Sequence, residues 1–71
     1  MMEIKTRVPG VVSEIKVKEG QQVEVKDQLA VMEAMKMFQP VLCPVAGTVA
    51  EILVEEGQRV SGGAVLMVIE D

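Results

Sequence analysis

Hydrophobic and polar residues alternate over short stretches of this chain. From Glu14 to Lys18 the residues read polar, apolar, polar, apolar, polar, which is typical of a strand with one buried face. Val23 and Val25 continue this period, and apolar runs at 29–33 and 64–69 predict two further strands. Turn signals such as Glu19-Gly20-Gln21 separate these segments, and none shows a sustained helical period. The pattern predicts an all-β protein, either a small sandwich or a flattened barrel.

The chain contains an internal repeat at a spacing of 37 residues. Residues 8–33 align without a gap on residues 45–70, and 13 of the 26 aligned positions are identical. A unit of this size cannot bury its own apolar face, so the two copies should pack on each other. We therefore predict one domain over residues 1–71, built from two halves, 8–33 and 45–70, that are related by a pseudo-two-fold axis.

The segment between the two copies predicts a hairpin. The stretches 29–33 and 38–42 can pair as strands, with residues 34–37 as the tip, and Pro40 favours an edge position for the second strand. Lys36 then lies on this tip. Two-fold symmetry would place both chain ends together, at the end of the domain away from Lys36.

Charge and composition exclude several functions. The net charge of −4, without any basic cluster, argues against nucleic-acid binding. The chain has no histidine and only one cysteine, Cys43, which argues against a usual zinc site, a Cys-His nucleophile and a disulfide. We expect no catalytic residues and no metal ligands, and Cys43 to be a small core residue. With no stretch long enough to span a bilayer, we expect a cytoplasmic domain that does not insert into the membrane.

Composition alone makes Lys36 an ordinary solvated turn lysine, with Met35 and Met37 as flexible apolar neighbours. Two features argue for more. The tip lacks the Gly, Asn and Asp residues that turns favour, and the two copies meet here in a chain with no other candidate chemistry. A covalently attached cofactor is one way to supply such chemistry.

The segment Glu33-Ala34-Met35-Lys36-Met37 resembles the attachment motif of biotin carrier domains, the biotin carboxyl carrier proteins of biotin-dependent carboxylases and decarboxylases. The resemblance extends over nearly the whole chain, in four further segments: 9–12, 17–23, 44–49 and 54–60. It implies a flattened barrel of two four-stranded antiparallel sheets. It also implies that a biotin protein ligase attaches biotin to the amine of Lys36, with Ala34, Met35 and Met37 completing the attachment motif.

The resemblance further implies a non-catalytic carrier. Biotin on Lys36 would move carboxyl groups between a biotin carboxylase and a carboxyltransferase or decarboxylase subunit. Two alternatives stay open: a lipoyl carrier, whose tip usually reads Asp-Lys-Ala, and an unmodified interaction module of the same fold. Phe38 and Leu42 make the strand after the tip more apolar than in many relatives, which leaves open the enzyme that the carrier serves.

Overall fold

The computed structural model describes residues 1–71, which form eight strands and no helix. The strands are β1 (Met2–Lys5), β2 (Gly10–Ile15), β3 (Gln22–Val23), β4 (Gln28–Ala34), β5 (Met37–Leu42), β6 (Gly47–Ile52), β7 (Arg59–Val60) and β8 (Val65–Glu70). The structure contains no helix with the length and apolar character needed to cross a membrane.

The strands form two four-stranded antiparallel sheets that share one plan. One sheet has the order β1-β8-β6-β3 and the other β5-β4-β2-β7. Each pairing in one sheet has a counterpart in the other. In one sheet β4 pairs with both β2 and β5, and in the other β8 pairs with both β6 and β1. Likewise, β2 pairs with β7 in the first sheet and β6 with β3 in the second. The predicted all-β fold with an internal pseudo-two-fold repeat is confirmed.

Two strand predictions need correction, and one strand was missed. β1 was not predicted, because residues 1–5 share no identity with their counterparts 38–42 in β5. The strand predicted over 14–18 is displaced, since β2 ends at Ile15 and the chain then crosses to the other sheet. Val25 lies outside β3, because the next turn begins at Glu24, whose backbone N–H donates to the Asp27 carboxylate.

The core is aliphatic and has two parts, which show how the sheets are oriented. Leu29 at the start of β4 shares one buried cluster with Ile69 at the end of β8. Met32 near the end of β4 shares the second with Leu66 near the start of β8. These two strands therefore run in opposite directions across the core. The hairpin after β4 consequently lies at the opposite end of the domain from the end of β8, as the repeat predicted.

The two chain ends meet at that far end. The N-terminal ammonium of Met1 lies 3.3 Å from a carboxylate oxygen of Asp71. A hydrogen bond with this ammonium lowers the pKa of the Asp71 carboxyl below its ordinary value. Cys43, predicted as a small core residue, is buried, and its thiol donates a hydrogen bond to the Val45 carbonyl oxygen at 2.9 Å.

Candidate functional site

The candidate site is the two-residue tip of the β4–β5 hairpin. Ala34 pairs directly with Met37, so only Met35 and Lys36 form the loop, which is shorter than the predicted connection 34–37. Both loop residues have positive φ, 53° for Met35 and 63° for Lys36. Two successive residues of this kind define a type I′ turn, whose twist matches that of the flanking strands. The backbone therefore holds Lys36 on a tight, defined turn.

The tip residues differ sharply in burial. Met35 is 92% exposed and Met37 62%, and Lys36 is also exposed, whereas Ala34 is buried. The methionines at the tip are thus not the core fillers that composition alone would suggest. The amine of Lys36 takes part in no ion pair, since the three pairs of the domain involve other residues. A primary amine that is exposed and unpaired is chemically available for acylation.

Gly10 lets the hairpin lie close to β2. A Cβ atom built on Gly10 would collide with the Glu33 carbonyl oxygen and lie 3.2 Å from the Cβ of Ala34. Gly47 approaches the Glu70 carbonyl oxygen in the same way in the second half. The small residues at positions 10 and 34 therefore fasten the base of the hairpin to the sheet, while its tip projects into solvent.

Lys36 lies on a projection and not in a pocket. One cleft of the domain, of about 460 Å³, lies between β1 and β5, and its lining consists of residues 3–8 and 39–42 together with Met32 and Pro44. The tip residues are absent from its lining. No group of three or more His, Cys, Asp or Glu residues is arranged to hold a metal ion.

Another exposed lysine with positive φ shows what is special about the tip. Lys26, with φ 76°, lies in the turn between β3 and β4 and donates its backbone N–H to the Cys43 carbonyl oxygen. It lies in the turn that the Glu24–Asp27 hydrogen bond closes, and its neighbours are Val25 and Asp27. Exposure and positive φ alone thus do not distinguish Lys36. Its two exposed methionine neighbours and its projecting hairpin do.

The fold and the tip agree with the comparison to known protein families. The chain matches the biotin/lipoyl family model, described as biotin-requiring enzyme, over residues 2–69. The chain belongs to this biotin/lipoyl family. The family assignment agrees with the resemblance of the sequence to biotin carrier domains, and it makes the chain a domain of the biotin-requiring kind.

Two solved structures contain a similar domain. A single-chain, multi-domain long-chain acyl-CoA carboxylase is 33% identical over 93% of this chain, with a TM-score of 0.88. The urea carboxylase of Kluyveromyces lactis is 28% identical over 97% of the chain, with a TM-score of 0.91. The chain spans only 7% and 6% of these two proteins, respectively. No curated protein sequence matches the chain significantly.

The structure thus shows the surroundings of the predicted attachment residues Ala34, Met35, Lys36 and Met37, while their roles remain predictions. It brings all four together at one hairpin end. Sequence reasoning missed the contribution of Gly10, although the repeat of Gly10 at Gly47 was a signal. It also missed that Phe38, the sole aromatic residue, is 63% exposed beside the tip.

Proposed function

We propose that this domain is a biotin carrier, with biotin attached through an amide to Lys36. The observation that carries the proposal is the projecting type I′ turn, which presents an unpaired lysine amine between two exposed methionines. The fit to the cofactor is chemical: the carboxyl group of biotin needs an accessible amine as its acyl acceptor. Amide formation removes the charge of Lys36 and makes its side chain part of a long, flexible arm.

The domain contributes position and not catalysis. When bound, biotin supplies the atom that carries a carboxyl group between a biotin carboxylase and a carboxyltransferase or decarboxylase site. The sheets hold the base of the hairpin, and the exposed tip lets different enzymes reach Lys36 in turn. Tethering keeps the carried group at a high local concentration near each site.

A biotin protein ligase is the further partner that we propose. Met35 and Met37 flank the amine and are exposed, so an enzyme that approaches Lys36 must contact them. A thioether side chain adapts its shape to an apolar pocket at low cost. These two residues therefore suit recognition by the ligase, and Ala34 suits the anchoring of the hairpin base.

Intact-mass measurement after expression with a biotin protein ligase tests the proposal. We expect one biotinyl group per chain, absent in Lys36→Arg, which keeps the charge but cannot form the amide. Lys26→Arg is the matched control, because it changes the other exposed lysine with positive φ and should leave the modification intact. Biotin on Lys36→Arg would refute the site. A lipoyl group would favour the lipoyl carrier, and an unmodified wild-type chain would favour an interaction module.

A further inference from the structure

The two sheets have different outer faces. In the sheet of β4, one cross-strand row contains Arg59, Val11, Glu33 and Phe38, and the next contains Glu14, Val31 and Pro40. Leu42 ends β5 and is 48% exposed. We call the set Val11, Val31, Phe38, Pro40 and Leu42 the β5 face.

The internal repeat provides a comparison for this face. At a spacing of 37 residues, Thr48 is the counterpart of Val11, Glu3 of Pro40 and Lys5 of Leu42. The second sheet thus forms the same strand pairings with polar residues at these three positions, whereas Val68 and Met1, the counterparts of Val31 and Phe38, are apolar. The fold itself therefore does not require apolar residues at positions 11, 40 and 42 of the β5 face. Contiguous apolar residues on a surface that do not serve the fold indicate contact with another molecule.

We propose that the β5 face docks the enzyme that loads a carboxyl group onto the biotin of Lys36. This proposal rests on the proposed carrier function and adds the surface by which that enzyme recognises the domain. The docking enzyme would present an apolar strip to Phe38 and Leu42, and a lysine or arginine to Glu33.

Continuity with the tip supports this occupant. Phe38 begins the β5 face two residues after Lys36, and it is 63% exposed, so the β5 face starts directly beside the tip. At about 3.4 Å per residue, Leu42 lies about 20 Å along the strand from Lys36. An enzyme that holds the carried group in its active site therefore has the β5 face beside its entrance.

Charge supports the same occupant. Glu33 lies between Val11 and Phe38 and forms no ion pair, whereas Glu14 on the same face is paired with Lys16 at 3.2 Å. A basic rim around the entrance of that enzyme would complement this unpaired glutamate on a domain with net charge −4.

Pro40 indicates how the partner docks. In a two-residue hairpin, the residues that flank the loop, here Ala34 and Met37, form a hydrogen-bonded pair. Hydrogen-bonded and non-hydrogen-bonded pairs alternate along the two strands, so Phe38 and Pro40 belong to non-hydrogen-bonded pairs. Their backbone N and C=O groups therefore point away from β4, to the free edge of the sheet. Proline has no N–H to donate, and it therefore blocks the addition of a strand at this edge. We infer docking by side chains on the β5 face and not by extension of the sheet.

Two leucine-to-lysine variants provide a matched test. Leu42→Lys introduces on the β5 face the residue type found at the equivalent position of the other half, Lys5. Leu53→Lys does the same after β6, where the counterpart is Lys16, and Leu53 is 47% exposed. Both changes remove an exposed leucine and add one charge, but only Leu42 belongs to the β5 face. Phe38→Thr is a second β5-face variant in case Leu42→Lys alters the melting curve.

The assay uses the biotinylated 71-residue chain as substrate of the biotin carboxylase from the same organism. We expect Leu42→Lys and Phe38→Thr to lower kcat/KM about tenfold, mainly through KM, since central apolar contacts dominate an interface. Leu53→Lys should stay within about twofold of wild type. The rate of biotin attachment by the ligase should not change, because the ligase needs only the tip.

Several results would overturn the proposal. Equal kcat/KM for both leucine variants would exclude the β5 face, and a loss confined to the ligase reaction would assign the face to the ligase. A wild-type dimer that Leu42→Lys dissociates, measured by sedimentation, would assign it to a second copy of the chain. A wild-type chain without biotin refutes the carrier function itself, together with the docking proposal. The two failures are therefore distinct: one appears in the wild type, the other only in the variants.

Discussion

Two glutamates link the halves of the domain reciprocally. The Glu56 carboxylate accepts a hydrogen bond from the Ile15 backbone N–H at 2.9 Å, and the Glu19 carboxylate accepts one from the Ile52 backbone N–H, also at 2.9 Å. Each bond joins the turn of one half to the end of a strand in the other. This arrangement explains why glutamate repeats at positions 19 and 56. We predict that removing either side chain destabilises the domain.

The magnitude follows from exposure. A hydrogen bond to a charged group contributes about 1.5–3 kcal/mol, but both carboxylates are exposed and water can replace them, so we expect about 1 kcal/mol for each Glu→Ala change. The two bonds share no partner, so the double variant should lose about 2 kcal/mol. For a domain of this size that lowers Tm by about 8–16 °C. Glu→Gln keeps an oxygen acceptor and should lose less.

Thermal unfolding followed by circular dichroism measures these differences. Glu55→Ala is the control, because it removes a glutamate from the same turn whose side chain accepts no hydrogen bond. Only the backbone of Glu55 is bonded: its N–H donates to the Gln58 side-chain oxygen, and its carbonyl oxygen accepts from the Gln58 N–H. We expect Glu55→Ala to melt within about 2 °C of wild type, in line with a neutral surface change. If Glu19→Ala and Glu56→Ala have the same Tm as Glu55→Ala, the two hydrogen bonds between the halves contribute nothing to stability and the reasoning is wrong.

Three further predictions concern packing and backbone. Leu29→Ala should lower the free energy of unfolding in urea by about 2–5 kcal/mol, because Leu29 is fully buried. Ile15→Ala should lower it by only about 1–2 kcal/mol, because Ile15 is half-buried. Equal losses would contradict the burial pattern. Gly10→Ala should destabilise the hairpin base and lower biotin attachment, as its Cβ would meet the Glu33 carbonyl oxygen; unchanged melting and labelling would disprove this close approach. Met35→Asn should raise Tm, since asparagine tolerates positive φ, yet slow attachment; a faster ligase reaction would contradict the role of Met35.

The repeat made the fold predictable from sequence, and its limits explain the errors. Identities at turns and inward-facing positions revealed two equivalent halves, because both halves meet the same demands of turn geometry and core packing. β1 and β5 are also equivalent but share no residue, because each is an edge strand whose outer side chains face different surroundings. When two equivalent strands have different surroundings, their sequences need not be alike, and an alignment of the chain with itself does not detect them. β1 could therefore be recognised only through its pairing with β8.

The attachment site shows a similar division. The position of Lys36 on a hairpin followed from the strand pattern and the connector. The left-handed backbone at Met35 and Lys36 did not, because nothing in these two side chains favours positive φ. The turn type is instead imposed by the register of β4 and β5, in which Ala34 pairs with Met37. Such a conformation comes from tertiary constraint and not from local preference.

That constraint bears directly on function. Positive φ costs an ordinary residue about 1–2 kcal/mol, so the pair Met35–Lys36 lowers the stability of a small domain that an Asn-Gly tip would raise. A sequence under selection for stability alone would replace both residues. Their presence at the two-residue hairpin tip, fastened below by Ala34 against Gly10, agrees with the proposal that the side chains themselves are needed there. In the proposed carrier, Lys36 offers the amine, and Met35 the contact beside it. Because Lys26 also has positive φ, it is the pair of such residues on one projecting tip, and not positive φ by itself, that supports the proposed attachment at Lys36.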